Sequence, residues 1–249
     1  MSLIDVEALK DYGIVLIECP LFNFNKELTK DLLCQSYSMR INSYQQSYGL
    51  NVYPFGGEEM ACDHYFLTKK IKNKIQVICS LKYITLERCK FFNLNFPLFN
   101  TLASEMNPSD LYKKIKSYVI EDLKEKSTAY VGGLSSNFDI LTSLERKLVR
   151  DFVIYATCSF KILNKVDALF TTGTKRKDFF KFLQNFGFDI LYPEAITHKE
   201  VANLQVMLQC MLDHNKEEYN RASYLGSLWD KKIYYKFEPH LIKFDQDAA

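Results

Sequence analysis

An acidic segment in the N-terminal half carries the side chains best suited to acid–base chemistry. It holds Glu58, Glu59 and Asp63, and His64 follows at once. A carboxylate beside apolar neighbours can have a raised pKa and act as a base, or it can bind the ammonium group of an amino-acid-like ligand. The alternative is a solvated charged loop, because most acids lie at the surface. Glu59 and Asp63 are the preferred pair of catalytic residues.

One arginine shares a predicted helix face with aromatic residues. Arg40 lies three residues after Tyr37 and four residues before Tyr44, which is the spacing of neighbours on a helix. A guanidinium can bind a carboxylate through two parallel hydrogen bonds, so Arg40 is a candidate for binding a substrate. An ion pair at the helix surface is an equally good interpretation.

Two further segments could bind an extended, phosphate-bearing ligand. Residues 132–136 (GGLSS) are mostly small and let a ligand lie close to the backbone; the alternative is that Gly133 only marks a bulge or a close packing contact. Lys175, Arg176 and Lys177 follow a predicted strand and precede a helix, where a phosphate is favoured. An ordinary basic loop that caps a helix is the alternative there.

Composition and spacing argue against several classes of protein. The 249 residues carry a net charge of only +2, which gives no electrostatic footprint for nucleic acid. Seven cysteines without a C-x-x-C pair and four scattered histidines predict neither a disulfide framework nor a metal site. The acidic N-terminus and the short apolar runs predict no signal peptide and no membrane span. A cytoplasmic protein is expected.

The elements that must position these residues follow an α/β pattern. Residues 129–191 read as strand, helix, strand, helix and strand, and the strand-to-helix junctions of such folds commonly bind ligands. Upstream, the pattern predicts a strand at 13–18, a helix at 25–48 and an antiparallel hairpin at 64–87. A helix is predicted at 111–125.

The C-terminal quarter is predicted to be helical, at least from Val201 to Asn220, and the last twenty residues either add a final strand or continue without regular structure. No internal repeat or Pro/Ser-rich linker separates it from the rest of the chain. The predicted organisation is therefore one domain over residues 1–197 and a helical extension over residues 198–249 that packs on it.

This order of elements resembles the GNAT family of acyltransferases, which use acyl thioesters of coenzyme A or acyl carrier protein. Residues 179–191 look like the family's late helix, which ends in Gly-Phe before a strand, and residues 63–86 look like its central hairpin. The resemblance implies a three-layer fold, with a mixed and mostly antiparallel sheet flanked by helices. It implies an acyl thioester as co-substrate and no permanently bound cofactor.

Within that family, the chain is most similar to acyl-homoserine-lactone synthases and long-chain N-acyl amino acid synthases. Their helical Arg and following aromatic residue match Arg40 and Tyr44, and Lys82 stands where their hairpin carries an Arg. The resemblance implies that these three residues bind substrate. It also implies that Gly133, Leu134, Ser135 and Ser136 hold the pantetheine arm, and that Lys175 and Arg176 hold its phosphate.

Two departures from the family pattern bear on function. The synthases place a Glu and an Arg on the strand that corresponds to residues 132–138, and this chain has neither. The Gly-rich loop that binds pyrophosphate in acetyl-CoA enzymes is also missing, because residues 143–151 contain no glycine. Loss of catalysis is therefore one interpretation.

The leading expectation is an N-acyltransferase that moves a fatty acyl group from acyl carrier protein or coenzyme A to a small amine or amino acid. Residues 91–106 would line the acyl channel, or else fill the core. The basic cluster at residues 175–177 and the basic face of Arg146, Lys147 and Arg150 on the preceding helix would together suit an acidic carrier protein as partner. The alternatives are a short-chain, acetyl-CoA-dependent N-acetyltransferase and a non-catalytic binding or effector module.

Overall fold

The computed structural model of the chain describes seven stretches, which are residues 6–48, 56–103, 107–108, 110–124, 126–174, 179–197 and 204–238. Within them, nine strands form one sheet: β1 (Tyr12–Glu18), β2 (Asp63–Ile71), β3 (Lys74–Thr85), β4 (Thr128–Ser136), β5 (Ala168–Thr174), β6 (Asp189–Ile190), β7 (Ile196–Thr197), β8 (Gln205–Met211) and β9 (Ile233–Tyr235). The helices are α1 (Pro20–Asn23), α2 (Glu27–Tyr48), α3 (Leu86–Phe91), α4 (Pro97–Leu102), α5 (Leu111–Ser117), α6 (Ser143–Leu163), α7 (Phe179–Asn185), α8 (Lys216–Arg221) and α9 (Gly226–Asp230).

Neighbouring strands follow the order β6-β8-β5-β4-β3-β2-β1-β9, and β7 also pairs with β8. The pairs β4/β5 and β1/β9 are parallel, and the other pairs are antiparallel. The predicted α/β fold with a mixed, mostly antiparallel central sheet between helices is therefore confirmed.

The two faces of the sheet bury separate apolar cores. We call the face covered by α6, α7 and α9 the first face, and its core includes Tyr83, Leu148 and Phe152. The second face is covered by α2 to α5, with Phe96 and Phe170 in its larger core and a smaller one under α2. Side chains alternate between these faces along every strand, so strand position decides which site a residue can join.

Helix α2 turns an unusually polar side toward the sheet. Its fully buried positions include Ser36 and Arg40 beside Leu32 and Leu33. The apolar spacing correctly predicts a helix here, but it points Tyr37 and Tyr44 inward, and both are only partly buried. Polar groups are rarely placed under a helix unless they are bonded there. The buried side of α2 therefore belongs to a polar site.

The predicted hairpin is confirmed as β2 and β3. Lys72 adopts a positive φ of 54° in the two-residue turn, and the register runs from Ile71–Lys74 to Asp63–Tyr83. The central residues of β3 are buried on both faces, which explains why this strand reads as a continuous apolar run.

The prediction of a helix from Val201 to Asn220 is wrong, because Gln205–Met211 is strand β8. This strand lies between β5 and β6 and is buried from Val206 onwards, so it shows no alternation of polar and apolar residues. A short apolar run of this kind cannot be told from a buried helix by periodicity. Helix α8 does begin at Lys216, and the predicted late strand is β9. The domain boundary between residues 197 and 198 stays a prediction.

In the stretches described, no helix combines the length and the apolar character that crossing a bilayer requires.

Candidate functional site

Two acids and two cations form a compact buried cluster on the second face. Arg40 of α2 donates from Nη1 to Glu59 Oε1 at 2.6 Å. Lys82 of β3 donates from Nζ to the same oxygen at 2.5 Å and to Glu58 Oε1 at 2.8 Å. All four residues are at most 8% exposed. The surface ion pair considered for Arg40 is therefore excluded, and so is a solvated loop for Glu58 and Glu59.

The charges within this ion cluster fix the state of Glu59. Burial raises the pKa of its carboxyl, but the positive charges of Lys82 and Arg40 outweigh burial and bring the pKa down to about 2. The same pairing raises the pKa of Lys82 against the effect of burial. Glu59 is thus an anion at neutral pH that holds two cations, and it is a weak base.

His64 adjoins the cluster from β2. Its Nε2 lies 2.8 Å from the backbone oxygen of Glu59, so we assign the proton to Nε2 and the lone pair to Nδ1. Burial lowers the pKa of His64 to about 4 although Glu59 raises it, so the ring is neutral at pH 7. Nδ1 and Glu59 Oε2 are both buried acceptors without a hydrogen-bond donor.

Asp63 lies in a different network from Glu59. Its carboxylate pairs with Arg88 of α3, and burial raises its pKa to about 7 although Arg88 opposes the rise. Asp63 is the first residue of β2, and alternation sends its side chain away from the side of His64. The structure therefore does not bring together the two acids that the sequence pairs.

Strand β4 bulges directly beside the ion cluster. Gly132 pairs with Lys82 and Ser135 pairs with Ser80, so Gly133 and Leu134 together face one residue of β3. Gly133 has a φ of 62°, and a Cβ added there would lie 2.9 Å from both Arg40 Nη2 and Lys82 Cγ. Only glycine fits this backbone and this close approach, so the bulge at Gly133 brings the backbone of β4 against Arg40 and Lys82.

Three serine hydroxyls connect α2, β3 and β4 behind the bulge. Ser36 Oγ and Ser80 Oγ are 2.7 Å apart, and Ser80 Oγ and Ser135 Oγ are also 2.7 Å apart. All three residues are buried. Ser36 lies one helical turn before Arg40, so this serine chain sets the distance between the cation and the bulged strand.

Strands β4 and β5 separate beyond a short parallel pairing. They pair only from Thr128–Ala168 to Tyr130–Phe170, yet β4 continues to Ser136 and β5 to Thr174. Side chains cross the start of the gap, since Tyr130 Oη lies 2.9 Å from Thr172 Oγ1 and Thr171 Oγ1 donates to the Val131 oxygen at 2.9 Å. The bulge at Gly133 lies on the β4 side of this gap.

The other predicted ligand-binding residues are dispersed. Leu134 packs against the core of the first face, Ser136 Oγ donates to the Ile78 oxygen, and Tyr44 packs against the core of the second face. Lys175 and Arg176 lie outside the described residues. The residues that meet at one place are therefore Arg40, Glu58, Glu59, Lys82 and Gly133, with Ser135 reached through Ser80.

Sequence reasoning missed the pairing partners rather than the charges. Arg88 carries no spacing signal toward Asp63, and Ser36 and Ser80 lie far apart along the chain. A signal for Ser36 exists, because it precedes Arg40 by four residues on α2. Across the stretches described, no group of three or more His, Cys, Asp or Glu side chains could hold a metal ion.

No family model matches the chain, and no curated protein is detectably similar to it. The chain is similar in structure to BjaI, a CoA-dependent acyl-homoserine lactone synthase. Against BjaI with MTA the TM-score is 0.55, with 11% identity over 91% of this chain and 95% of that one. Against BjaI with SAM and isopentyl-CoA the TM-score is 0.54, with the same identity and coverage. FeeM, an N-acyl amino acid synthase from uncultured soil microbes, gives a TM-score of 0.49 and 10% identity over 87% of this chain and 97% of that one.

These likenesses concern architecture, because identities near one residue in ten show the fold alone. The predicted resemblance is confirmed at that level: the chain has the fold of the GNAT-type acyltransferases.

Proposed function

We propose that the chain is an N-acyltransferase that moves an acyl group from a thioester of acyl carrier protein or coenzyme A to a small amine or amino acid. The gap between β4 and β5, with the Gly133 bulge on its edge beside the buried ion cluster, is the observation that carries the proposal. BjaI, which has this fold, is CoA-dependent and was solved with isopentyl-CoA.

The bulge supplies what an extended thioester arm needs. Gly133 and Leu134 leave the β3–β4 ladder, so backbone N–H groups there can donate to the arm or to the oxygen of the thioester. The space that side chains would take at Gly132 and Gly133 is filled by the Tyr130 ring and by Arg40 and Lys82, which these glycines bring against the backbone of β4. When the amine attacks, its nitrogen bonds to the carbonyl carbon, the carbon–sulfur bond breaks, and the proton lost by the amine ends on the thiol.

The ion cluster supplies orientation and charge. With a pKa of about 2, Glu59 keeps its negative charge and holds Arg40 and Lys82 against the bulge. A substrate carboxylate would meet these cations, as expected for an amino-acid acceptor. His64 Nε2 lies 4.0 Å from Glu59 Oε2, but the ring is fully buried and its Nδ1 is inaccessible, so the proton acceptor stays a prediction for the catalytic pair Glu59 and Asp63. Asp63 and Tyr44 stay predicted site residues.

The N-terminus of α6, where a diphosphate could bind, is already occupied in part. Thr142 Oγ1 accepts from the Glu145 N–H, and Glu145 Oε2 accepts from the Thr142 N–H, which is a complete capping box. The carboxylate placed there disfavours a second anion. The fit to the donor therefore rests on the arm rather than on its phosphates, and Lys175 and Arg176 stay predicted phosphate ligands.

The test is acyl transfer by the full chain with a pool of amino acids, using acyl-CoA and acyl carrier protein thioesters and measuring thiol release and the acylated product by mass spectrometry. Gly133→Ala should abolish transfer, because it strains the backbone and crowds Arg40. Gly226→Ala is the matched control, since Gly226 has an α-helical φ of −53° and room for a Cβ. Release of thiol without any acylated amine, or no release at all from the folded chain, contradicts the proposal and favours a non-catalytic module.

A further inference from the structure

Tyr130 stands at the point where β4 and β5 separate. It is the last residue of β4 that pairs with β5, opposite Phe170. Its side chain is 7% exposed and belongs to the core of the second face. The hydroxyl lies 2.9 Å from Thr172 Oγ1 and is also hydrogen-bonded to the side chain of Thr101. The phenol therefore spans from β4 to β5 and α4 across the narrow end of the gap.

The ring of Tyr130 is held in this position from two sides. A Cβ on Gly132 would lie 2.9 Å from Cε1 of Tyr130. The ring therefore packs over the backbone of Gly132, and a side chain at this position would displace it. Phe96 packs against it edge-on, with ring centroids 6.3 Å apart. With both the ring and the hydroxyl fixed, Tyr130 is a wall of the gap and not a mobile surface residue.

Beyond Tyr130 lies the apolar interior that a long acyl chain would need. Ile84, Phe96, Leu98 and Phe170 belong to the same core as Tyr130, and each is at most 2% exposed. In the other direction, Lys82 and Glu58 are close enough to act on the pKa of Tyr130, so the ion cluster borders it there. An alkyl chain directed that way would desolvate buried charges, which is unfavourable.

We infer that Tyr130 is the residue that limits the length of the acyl group this chain can accept, and that the chain as it stands is restricted to short acyl donors. The inference rests on the proposed acyltransferase function and selects the short-chain alternative over the fatty acyl donor expected from the sequence. An acyl group on a thioester seated along the Gly133 bulge and directed to the narrow end of the gap meets the phenol of Tyr130. Further methylenes have no apolar volume until the ring is removed.

The experiment measures binding of an acyl-CoA series from acetyl to palmitoyl, and of the same acyl groups on acyl carrier protein, to the full chain and to two variants. The wild type should bind acetyl and butyryl donors most tightly. Its dissociation constant for dodecanoyl donors should be higher by a factor of about ten or more. Tyr130→Ala should reverse this preference by opening the way to the second-face core. Tyr130→Phe is the matched control, because it keeps the ring and loses only the hydroxyl with its bonds to Thr172 and Thr101, so the wild-type preference should remain.

Unfolding curves recorded in parallel separate a changed specificity from a lost fold, and Tyr130→Leu replaces the alanine variant if that variant is unfolded. Equal binding of butyryl and dodecanoyl donors by the wild type overturns the inference and leaves acyl transfer intact. The same holds if a folded small-residue variant keeps the wild-type profile. Failure of the folded wild type to bind any donor overturns the acyltransferase proposal itself, and this inference with it.

Discussion

At the scale of single residues, the ion cluster depends on one oxygen. Glu59 Oε1 accepts from both Arg40 and Lys82, and the second carboxylate, Glu58, accepts from Lys82. Two buried cations are therefore balanced through a shared anion, in surroundings where an uncompensated charge is costly.

Glu59→Gln should destabilise the folded chain by about 3 kcal/mol or more, because it leaves Arg40 buried beside a neutral amide. Glu7→Gln is the matched control, since Glu7 pairs with Lys10 at the surface, with both side chains well exposed. Its loss should change the free energy of unfolding by less than about 1 kcal/mol. Urea denaturation measures both values, and similar effects for the two variants would contradict the buried role of Glu59.

The residue types of this site were predictable from the sequence, but their partners were not. Arg40, Glu59 and Lys82 are charged residues in suggestive places, and nothing local distinguishes a buried charge from a solvated one. Asp63 was grouped with Glu59 because both lie in one short acidic segment. In the structure β2 already includes Asp63, so the side chains of Asp63 and His64 point to opposite faces of the sheet, and His64 alone lies beside Glu59. A shift of one residue in where a strand begins is enough to reverse such an assignment.

At the scale of elements, α2, β3 and β4 are held together by hydrogen bonds between side chains as well as by apolar packing. Ser80 is the centre of the serine chain and contacts Ser36 on one side and Ser135 on the other. All three hydroxyls are buried, and each takes part in one or both of these hydrogen bonds. The three residues therefore form one network, in which the loss of one member affects the others.

Ser80→Ala should cost about 2 kcal/mol of stability, because it leaves the hydroxyls of Ser36 and Ser135 buried without their shared partner. It should also lower acyl transfer, since α2 and the bulged β4 are no longer fixed at one distance. Ser227→Ala is the control, because the exposed Ser227 hydroxyl donates to the backbone oxygen of Tyr224, three residues away. The comparison needs unfolding curves and a transfer assay, and an undisturbed Ser80→Ala protein would mean that the serine chain is incidental.

Helix α6 offers a second prediction through its capping box. The hydrogen bond from Lys69, together with the bonds from Thr142, overcomes burial and lowers the pKa of Glu145 to about 2, from 4.5 in the unfolded chain. A carboxyl with a depressed pKa stabilises the fold above its unfolded value, and the effect disappears as the pH falls through the folded value. At pH 7 the free energy of unfolding of the wild type should exceed that of the Glu145→Gln variant by about 1 kcal/mol.

That difference should shrink as the pH is lowered from about 4.5 towards 2, and it should be constant from pH 6 to 8. Lys69→Met tests the cause, because it removes the principal partner and should narrow the pH range over which Glu145 contributes. Unfolding free energies at several pH values measure the effect. A difference that grows on acidification would show that the carboxylate does not stabilise this helix terminus.

The elements themselves were largely predictable, and the exception shows why. Helix α6 has a capping box and an amphipathic pattern, and the β2–β3 hairpin has a polar turn between apolar strands, so local chemistry identifies both. Strand β8 has only an apolar run, because it is buried in the interior of the sheet. Its partner β5 lies more than thirty residues upstream, and no local signal reports that pairing.

At the scale of the whole molecule, the C-terminal part of the chain completes the sheet. Strand β8 pairs with β5 at six positions, from Leu169–Met211 to Thr174–Val206, and it is the strand on which β6 and β7 pair. Residues 1–197 would therefore contain β5 with one edge unpaired, although its side chains are buried on both faces in the full chain. Contacts from the late α9, such as Trp229 in the first-face core, would also be missing.

The fragment 1–197 should consequently fail to fold cooperatively, because an exposed apolar edge strand cannot be offset by the remaining core. Circular dichroism and urea titration should show no sharp transition, whereas the full chain gives one. Adding the fragment 198–249 in trans is the informative control, since it restores β8 and should recover the transition if strand pairing is the missing element. A fragment 1–197 that unfolds as sharply as the full chain would support the predicted domain boundary at residue 197 and would make β8 an accessory to the sheet rather than a part that the fold requires.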